Sequence, residues 1–211
     1  MRLCGRLFST PRARNDYATH VPILIGLARI REIKSVLELG CGHYSTLLFL
    51  NRSAFPDLER LQSVENDTSW AETIAEVAKH DKRWTLTLVE GEISESISTL
   101  DLEAFDLILI DDSKTAAQRA STIQAIGAKD PRRPWMVIHD YEVAEYRRAA
   151  SGFREKCAFK AYNPWTGLVW NSVTDARRAK SLDRVLRNNN TREPDDLEAW
   201  IECFSDQRIL R

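Results

Sequence analysis

The fold is decided by the stretch Ser35-Val-Leu-Glu-Leu-Gly-Cys-Gly-His-Tyr-Ser-Thr46, which the apolar run Leu47-Leu-Phe-Leu50 follows at once. An apolar strand pattern carries Glu38 near its end and runs into the turn Gly40-Cys-Gly42, and a helix pattern comes next. The chain holds only eight glycines, so two of them within three residues at a strand end favour a functional turn. Such a turn lets the backbone approach a ligand closely and directs helix N–H groups at an anion.

A second short apolar strand pattern, Leu61-Gln-Ser-Val-Glu65, also ends in a carboxylate. Glu65 is well placed to accept hydrogen bonds from ribose hydroxyls, since an acid at the end of the next strand has this role in nucleotide-binding sheets. A nicotinamide-dependent oxidoreductase is therefore one alternative. Ser45, which stands where the dinucleotide pattern has glycine or alanine, and the lack of a Tyr-x-x-x-Lys pair argue against it.

Length and composition limit the class of protein. The 211 residues fit one domain with a substantial core, and a hydrophobic content of 43% with a charged content of 29% is typical of a soluble globular protein. The net charge of −1 gives no general attraction to nucleic acid or to an anionic membrane. No apolar run approaches the roughly 18 residues that cross a bilayer. We therefore expect neither nucleic acid nor a membrane as a partner.

The four cysteines, Cys4, Cys41, Cys157 and Cys203, are far apart and form no CxxC pair. This spacing argues against a zinc site or a disulfide framework and favours a reducing, cytoplasmic location. Cys41 lies inside the glycine turn, where a small residue that fills the turn is a simpler interpretation than a catalytic thiol.

Strand and helix patterns alternate along the chain, which predicts an α/β fold with a parallel sheet covered by helices on both faces. The strand patterns are Lys34–Leu39, Leu58–Glu65, Trp84–Val89, Phe105–Asp111, Pro134–His139, Phe159–Tyr162 and Gly167–Asn171. The helix patterns lie near 17–32, after a cap at Ser45 or Thr46, after a cap at Asp67 or Thr68, over Thr115–Ile126 with Gly127 ending it, and over Ala144–Ala150.

Three segments are expected. Residues 1–16 read as a basic, flexible arm, residues 17–172 as the ligand-binding domain, and residues 173–211 as a helical extension. In the extension, Leu197, Trp200, Ile201 and Phe204 form an apolar stripe at helical spacing. Docking of this stripe on the domain is favoured over a homodimer contact.

The motif Val36-Leu-Glu-Leu-Gly-Cys-Gly42 resembles motif I of the class I methyltransferases that depend on S-adenosylmethionine (SAM). Tyr44-Ser-Thr46 and Ser63-Val-Glu65 are similar to a subset that acts on sugars and small hydroxylated metabolites, although many members carry a third glycine where this chain has Tyr44. The resemblance covers about residues 17–172. It implies a Rossmann-like, mostly parallel seven-stranded sheet with an antiparallel final strand. The residues that it implies for binding SAM are Glu38, Gly40, Gly42, Tyr44, Ser45, Thr46, Glu65, Asn66 and Asp111.

Polar residues lie at the C-terminal ends of four predicted strands. In an open α/β sheet, ligands bind beyond these carboxyl ends. These polar residues are Glu38, Glu65, the pair Asp111-Asp112 and the pair His139-Asp140. The segment Ile110-Asp-Asp-Ser-Lys114 is similar to metal-dependent O-methyltransferases. That resemblance implies Asp111 as a ligand of a divalent cation and Lys114 as the base. Asp140 would complete an oxygen-rich site for magnesium or manganese.

His139 is the alternative general base, because its unperturbed pKa lies near working pH. A metal-independent subset, the glucuronoxylan 4-O-methyltransferase-like proteins, also carries a His-Asp pair at this place and an arginine in the preceding helix, where this chain has Arg119. Both mechanisms stay open. The metal-free one is preferred, with His139 or Lys114 as base and Asp140 orienting the imidazole.

Two further residues are candidates with a simpler alternative each. Trp165 would stack on a sugar face or belong to the core, and His20 would cover the cofactor or lie on a helix surface.

The sequence thus predicts methyl transfer from SAM to an oxygen of a small hydroxylated or carbohydrate acceptor. A non-catalytic SAM-binding or scaffold protein, which would use the Trp200 helix for partners, is the third alternative.

Overall fold

The computed structural model describes residues 15–113, 115–172 and 176–205. Seven strands form one sheet: β1 Ser35–Leu39, β2 Arg60–Glu65, β3 Trp84–Leu88, β4 Leu107–Ile110, β5 Trp135–Ile138, β6 Glu155–Phe159 and β7 Thr166–Trp170. Their order is β3-β2-β1-β4-β5-β7-β6. The first five are parallel, and β7 runs antiparallel to both β5 and β6. The predicted Rossmann-like, mostly parallel sheet with an antiparallel final strand is confirmed.

The α-helices are α1 Val21–Ile30, α2 Thr46–Leu50, α3 Thr68–Ala78, α4 Ile93–Ser96, α5 Ala116–Ala128, α6 Ala144–Ala149, α7 Ala176–Asn188 and α8 Leu197–Cys203. They cover both faces of the sheet. Side chains alternate along the central strand β4, so that Leu107 and Leu109 pack on the face of α1 and α7, and Ile108 and Ile110 pack on the face of α5 and α6. Since both faces are covered, all four of these side chains are buried.

Two elements differ most clearly from their predicted bounds, while the other bounds shift by a few residues. The sixth strand is Glu155–Phe159 rather than Phe159–Tyr162, because it is an edge strand whose polar residues face solvent and whose apolar signal is weak. Helix α5 continues through Gly127 to Ala128. The predicted cap at Asp67 is confirmed, since its side chain accepts a hydrogen bond from the N–H of Trp70 at the start of α3.

The C-terminal helices join the main core. Trp200 and Phe204 of the α8 region are fully buried and stacked with ring centroids 5.7 Å apart, in the same cluster as α1. Tyr162, which follows β6, packs edge-on against Trp200. Most of the predicted basic arm, residues 1–14, and the last residues, 206–211, lie outside the described residues. Within the described ranges, no helix combines the length and the apolar character that crossing a membrane requires.

Candidate active site

The carboxyl ends of β1, β4 and β5 bring three predicted site residues side by side. The sheet hydrogen bonds continue one residue past the strands: the N–H of Asp111 donates to Leu39 at 2.9 Å, and the N–H of His139 donates to Ile110 at 3.2 Å. On the other side, the N–H of Gly40 donates to Val64 at 2.9 Å. The glycine turn, Asp111 and His139 therefore share one edge of the sheet, as ligand sites in such folds do.

The first glycine of the turn is required by its backbone. Gly40 has φ of +85°, and a Cβ at this position would lie 2.5 Å from the backbone oxygen of Asp111. Gly42 is less constrained, since a Cβ there would meet only the hydroxyl of Ser45, at 3.2 Å. The backbone of β1 thus passes close to the strand-end backbone of β4, and Gly42 leaves the outer part of the turn open for close approach of a ligand.

Glu38 supports the turn from beneath. Its carboxylate is fully buried and accepts a hydrogen bond from Thr46 Oγ1 at 2.8 Å, and another from the hydroxyl of Ser63. Thr46 Oγ1 in turn accepts from the N–H of Gly42 at 3.1 Å. Burial raises the pKa of Glu38 to about 7, against the opposing hydrogen bonds from Ser45, Ser63 and Thr46.

These contacts change two roles expected from the sequence. Thr46 is the first residue of α2 and uses its hydroxyl on Glu38, while Ser45 occupies the N-cap position without a side-chain capping bond. Glu38 and Thr46 hold the loop in shape, because the carboxylate is shielded from the surface of the turn. Tyr44, by contrast, is exposed on the loop.

Glu65 ends β2 beside the turn. Its Oε2 accepts from the N–H of Cys41 at 3.1 Å, and its Oε1 accepts from the N–H groups of Asn66 and Asp67 at 2.7 and 2.9 Å. A carboxylate has about four acceptor positions. The three N–H groups use three of them, and the Cys41 thiol lies 3.7 Å from Oε2 at the fourth, a weak contact that a ribose hydroxyl could replace. The Asn66 side chain donates to the backbone oxygen of Gly91 at 2.7 Å, which fixes the loop after β3 next to this acid.

His139 is buried and hydrogen-bonded through both ring nitrogens. Nδ1 lies 3.2 Å from Asp111 Oδ1, and Nε2 lies 3.0 Å from the hydroxyl of Thr19. Burial by itself would lower the pKa of His139, but the charge of Asp111 and the hydrogen bond to it outweigh burial and raise it. Asp140 Oδ1 lies 3.7 Å from Nδ1, beyond hydrogen-bonding distance. Asp111 and not Asp140 therefore orients the imidazole.

Arg119 fills the space in which a metal ion was predicted. Its guanidinium is buried, and it donates to Asp111 Oδ1 and to Asp140 Oδ2, each at 2.9 Å. Burial would raise the pKa of Asp111, but the charge and hydrogen bond of His139, followed by the charge of Arg119, lower it to about 2. An all-oxygen site for magnesium or manganese would need both Asp111 and Asp140, and Arg119 holds one carboxylate oxygen of each. Asp111 and Asp140 in this arrangement do not fit the predicted oxygen-rich site.

The spacing of Arg119 from the apolar residues of α5 could have indicated that it lies on the buried face of this helix, but the predicted apolar face did not include it. Arg119 precedes Ile123 by four residues and Ile126 by seven, so it lies on the buried face of the helix. Thr122, on the same face, donates to Asp112 Oδ2 at 2.6 Å. Asp112 is consequently buried against α5, and of the two adjacent acids only Asp111 faces the site.

The segment before α1 closes the site from above. Thr19 contacts His139 as described, and His20 packs edge-on against the same imidazole with ring centroids 4.8 Å apart. His20 is buried rather than on a helix surface. Further along, Asn15 contacts the hydroxyl of Tyr44 and donates to Asp195 Oδ2 at 3.1 Å. This segment thus links the glycine turn to the loop between α7 and α8.

Two other candidates lie apart from this cluster. Lys114 falls outside the described residues. Trp165 is partly buried next to β5, where its backbone N–H donates to Glu142 Oε2 at 2.8 Å. Lys160 Nζ lies 4.1 Å from the centroid of the indole ring, and the Arg147 guanidinium lies 6.0 Å from it.

Comparison with known proteins agrees with this geometry. Residues 37–141 match a family model described as a methyltransferase domain. The fold is similar to an SAH-bound methyltransferase from Podospora anserina, with a TM-score of 0.55, 16% identity, and coverage of 70% of this chain and 76% of that one. It is also similar to spermidine synthase from Thermotoga maritima, with a TM-score of 0.55, 14% identity, and coverage of 89% and 73%.

A third similar structure is a proposed caffeoyl-CoA O-methyltransferase from Staphylococcus aureus, with a TM-score of 0.52, 13% identity, and coverage of 75% and 84%. No curated protein sequence matches the chain. At these identities the solved structures establish the fold. The matched methyltransferase domain spans the glycine turn, Glu65, Asp111 and His139, and it decides between SAM and the nicotinamide alternative. The chain therefore contains a methyltransferase domain, which supports a SAM-dependent methyltransferase of the class I type.

Proposed function

We propose that this enzyme transfers the methyl group of SAM to an oxygen atom of a small hydroxylated or carbohydrate acceptor. The observation that carries the proposal is the hydroxyl of Thr19, which lies 3.0 Å from Nε2 of an imidazole whose Nδ1 faces Asp111. The site already holds one hydroxyl where an acceptor hydroxyl would be deprotonated. A hydroxyl is a weak nucleophile until a positioned base removes its proton.

The glycine turn and Glu65 would hold the cofactor. Gly40 and Gly42 allow the backbone to approach it, and Glu65 would bind a ribose hydroxyl in place of its weak contact with the Cys41 thiol. Asn66, tied to Gly91, shapes the same side of the site. When bound, SAM supplies a methyl group on a positively charged sulfur, so the chain's own task is positioning and proton removal.

His139 is the proposed base. Its Nδ1–H donates to Asp111, which fixes the tautomer with the lone pair on Nε2. The acceptor hydroxyl takes the place of the Thr19 hydroxyl and gives its proton to Nε2, and the charge of Asp111 stabilises the imidazolium that forms. Arg119 keeps Asp111 ionised and in place, and it also holds the Asp140 side chain in place.

Cys41, Cys157 and Cys203 are free thiols, in keeping with the proposed cytoplasmic location. A homodimer would have to use a surface other than Trp200 and Phe204, since both are buried within the chain.

The test is methyl transfer from labelled SAM to a panel of monosaccharides, uronic acids and catechols, followed by NMR of the product. We expect an O-methyl product, formed equally well in EDTA, and its loss in His139→Ala. A product methylated on nitrogen or carbon would contradict the proposed acceptor. Activity that disappears in EDTA and returns with magnesium would contradict the metal-free mechanism.

A further inference from the structure

Three side chains that can bind a metal ion meet beneath the segment that precedes α1. They are His20, Asp111 and His139, and one ligand atom of each lies within 4.8 Å of the other two. The two imidazoles are 2% and 4% exposed, and the Asp111 side chain is 24% exposed. The cluster is thus nearly enclosed, with one carboxylate oxygen and two imidazole nitrogens as donors.

His20 is the unexplained member of the cluster. Neither of its ring nitrogens makes a hydrogen bond of normal geometry among the described residues, although the side chain is buried and the backbone of Tyr44 lies close to the ring. Buried polar groups in proteins almost always have a partner, and one without any calls for an explanation.

We propose that His20, Asp111 and His139 bind a zinc ion, and that the ion inhibits methyl transfer by occupying the base. Two imidazoles and one carboxylate are a donor set that suits zinc, whereas magnesium prefers oxygen ligands alone. This site differs from the predicted magnesium site, since it uses His20 and leaves Asp140 with Arg119. Arg119 also donates to Asp111 Oδ1 at 2.9 Å, and the zinc ion would have to displace that bond. The inhibition rests on the proposed role of His139, and the binding does not.

The geometry is close to what a zinc ion needs. Zinc bonds to nitrogen and oxygen of about 2.0–2.2 Å place tetrahedral ligand atoms about 3.3 Å apart. His139 Nδ1 and Asp111 Oδ1 are already 3.2 Å apart, so the ion would replace the proton that they share. His20 has to approach by roughly 1.5 Å from the 4.8 Å limit of the cluster.

The other nitrogen of His139 fits the same role. Imidazoles that bind a metal ion almost always donate their second N–H to a nearby acceptor. Thr19 Oγ1 lies 3.0 Å from His139 Nε2 and is such an acceptor. With the metal on Nδ1 and a proton on Nε2, His139 has no lone pair left, and it cannot remove a proton from an acceptor hydroxyl.

The binding test uses the full chain without an affinity tag, stripped with EDTA and dialysed. Zinc is titrated by calorimetry, and cobalt is titrated by its visible absorption. We expect one ion per chain, a tetrahedral cobalt spectrum, and a loss of affinity of at least about tenfold in His20→Ala and in Asp111→Asn. His80→Ala is the matched control, because His80 is exposed after α3, and it should bind as the wild type does.

Three results would overturn the site. They are an absence of zinc binding by the wild type, equal affinity in a folded His20→Ala variant, and an intense sulfur-to-cobalt charge-transfer band, which would assign the ion to cysteines. Circular dichroism checks that each variant is folded. In the methyl-transfer assay, zinc should inhibit the wild type and have a much weaker effect on His20→Ala. Zinc that binds without inhibiting would overturn the proposed inhibition and, separately, the role of His139 as base.

Discussion

Thr19 and His139, which are 120 residues apart in the chain, are joined by a buried hydrogen bond of 3.0 Å between the threonine hydroxyl and Nε2. The contact places the segment before α1 directly over the end of β5. It explains why His139 is buried although it follows a strand at the open edge of the sheet. Under the proposed mechanism, an acceptor would reach Nε2 of His139 only when this segment gives way, so the segment and the proposed base would belong to one site.

The first prediction concerns the base itself. His139→Ala should lower kcat by about 100- to 10,000-fold, the usual contribution of general acid–base catalysis, while SAM affinity changes little. The reason is that the imidazole faces Thr19 and Asp111 rather than the glycine turn. Single-turnover kinetics and calorimetry measure the two quantities. His80→Ala, at an exposed site, is the control, and full activity of a folded His139→Ala would leave Lys114 as the candidate base.

The second prediction concerns the acid at the end of β2. Glu65→Ala should weaken SAM binding by about 1.5–3 kcal/mol, the value of a hydrogen bond to a charged group. Part of this loss is indirect, since the carboxylate also holds the N–H groups of Cys41 and Asn66. Glu65→Gln keeps an acceptor and should lose less. Calorimetry decides, with the exposed Glu76→Ala as the control, and unchanged affinity in folded Glu65→Ala would remove the assigned role.

The third prediction separates the two glycines of the turn. Gly40→Ala should lower the free energy of unfolding by at least about 2 kcal/mol, since φ is +85° and the added Cβ would lie 2.5 Å from the Asp111 backbone oxygen. Gly42→Ala should cost less than about 1 kcal/mol in the fold, because its nearest neighbour is the Ser45 hydroxyl at 3.2 Å.

Binding tells whether the turn holds the cofactor. If the backbone at Gly42 lies against SAM, Gly42→Ala should fold well and still bind SAM more weakly. Urea unfolding measures the first property and calorimetry the second. A folded Gly42→Ala with normal SAM affinity would mean that the turn is only a connection between β1 and α2.

The central strands could be predicted from the sequence because their signal is local. Leu107–Ile110 is a continuous apolar run, as a strand buried on both faces requires, and the acid that follows marks its end. The same holds for the glycine turn, whose two glycines stand next to a strand pattern. Strand β6 lacked such a signal, since Glu155 and Lys156 interrupt its apolar side and only pairing with β7 makes it a strand.

The sequence predicted the strand-end residues of the candidate site, but it did not predict the contacts that join them. Strand ends identified Asp111, His139 and Asp140, because carboxyl ends of parallel strands meet. The hydrogen bonds among them could not be predicted, since they depend on Arg119, a charged residue on the buried face of α5. Charged residues are rarely buried, and a helix pattern scored by apolar residues therefore overlooks one that is fully paired.

The last prediction is a pH dependence at Glu38. Burial raises the folded pKa of this carboxyl to about 7, above the value of 4.5 for an unperturbed group. Between these values the folded chain holds more protons than the unfolded one, so this stabilisation is complete below about pH 4.5 and is lost as pH rises to 7.

Glu38→Gln mimics the protonated form and removes this contribution. Its stability relative to the wild type should therefore improve with pH across this window, by up to about 1.4 kcal/mol per pH unit. Urea unfolding at several pH values, with the exposed Glu72→Gln as control, measures the difference. Parallel pH curves for wild type and Glu38→Gln would show that Glu38 is ionised in the folded chain and that Thr46 and Ser63 stabilise its charge.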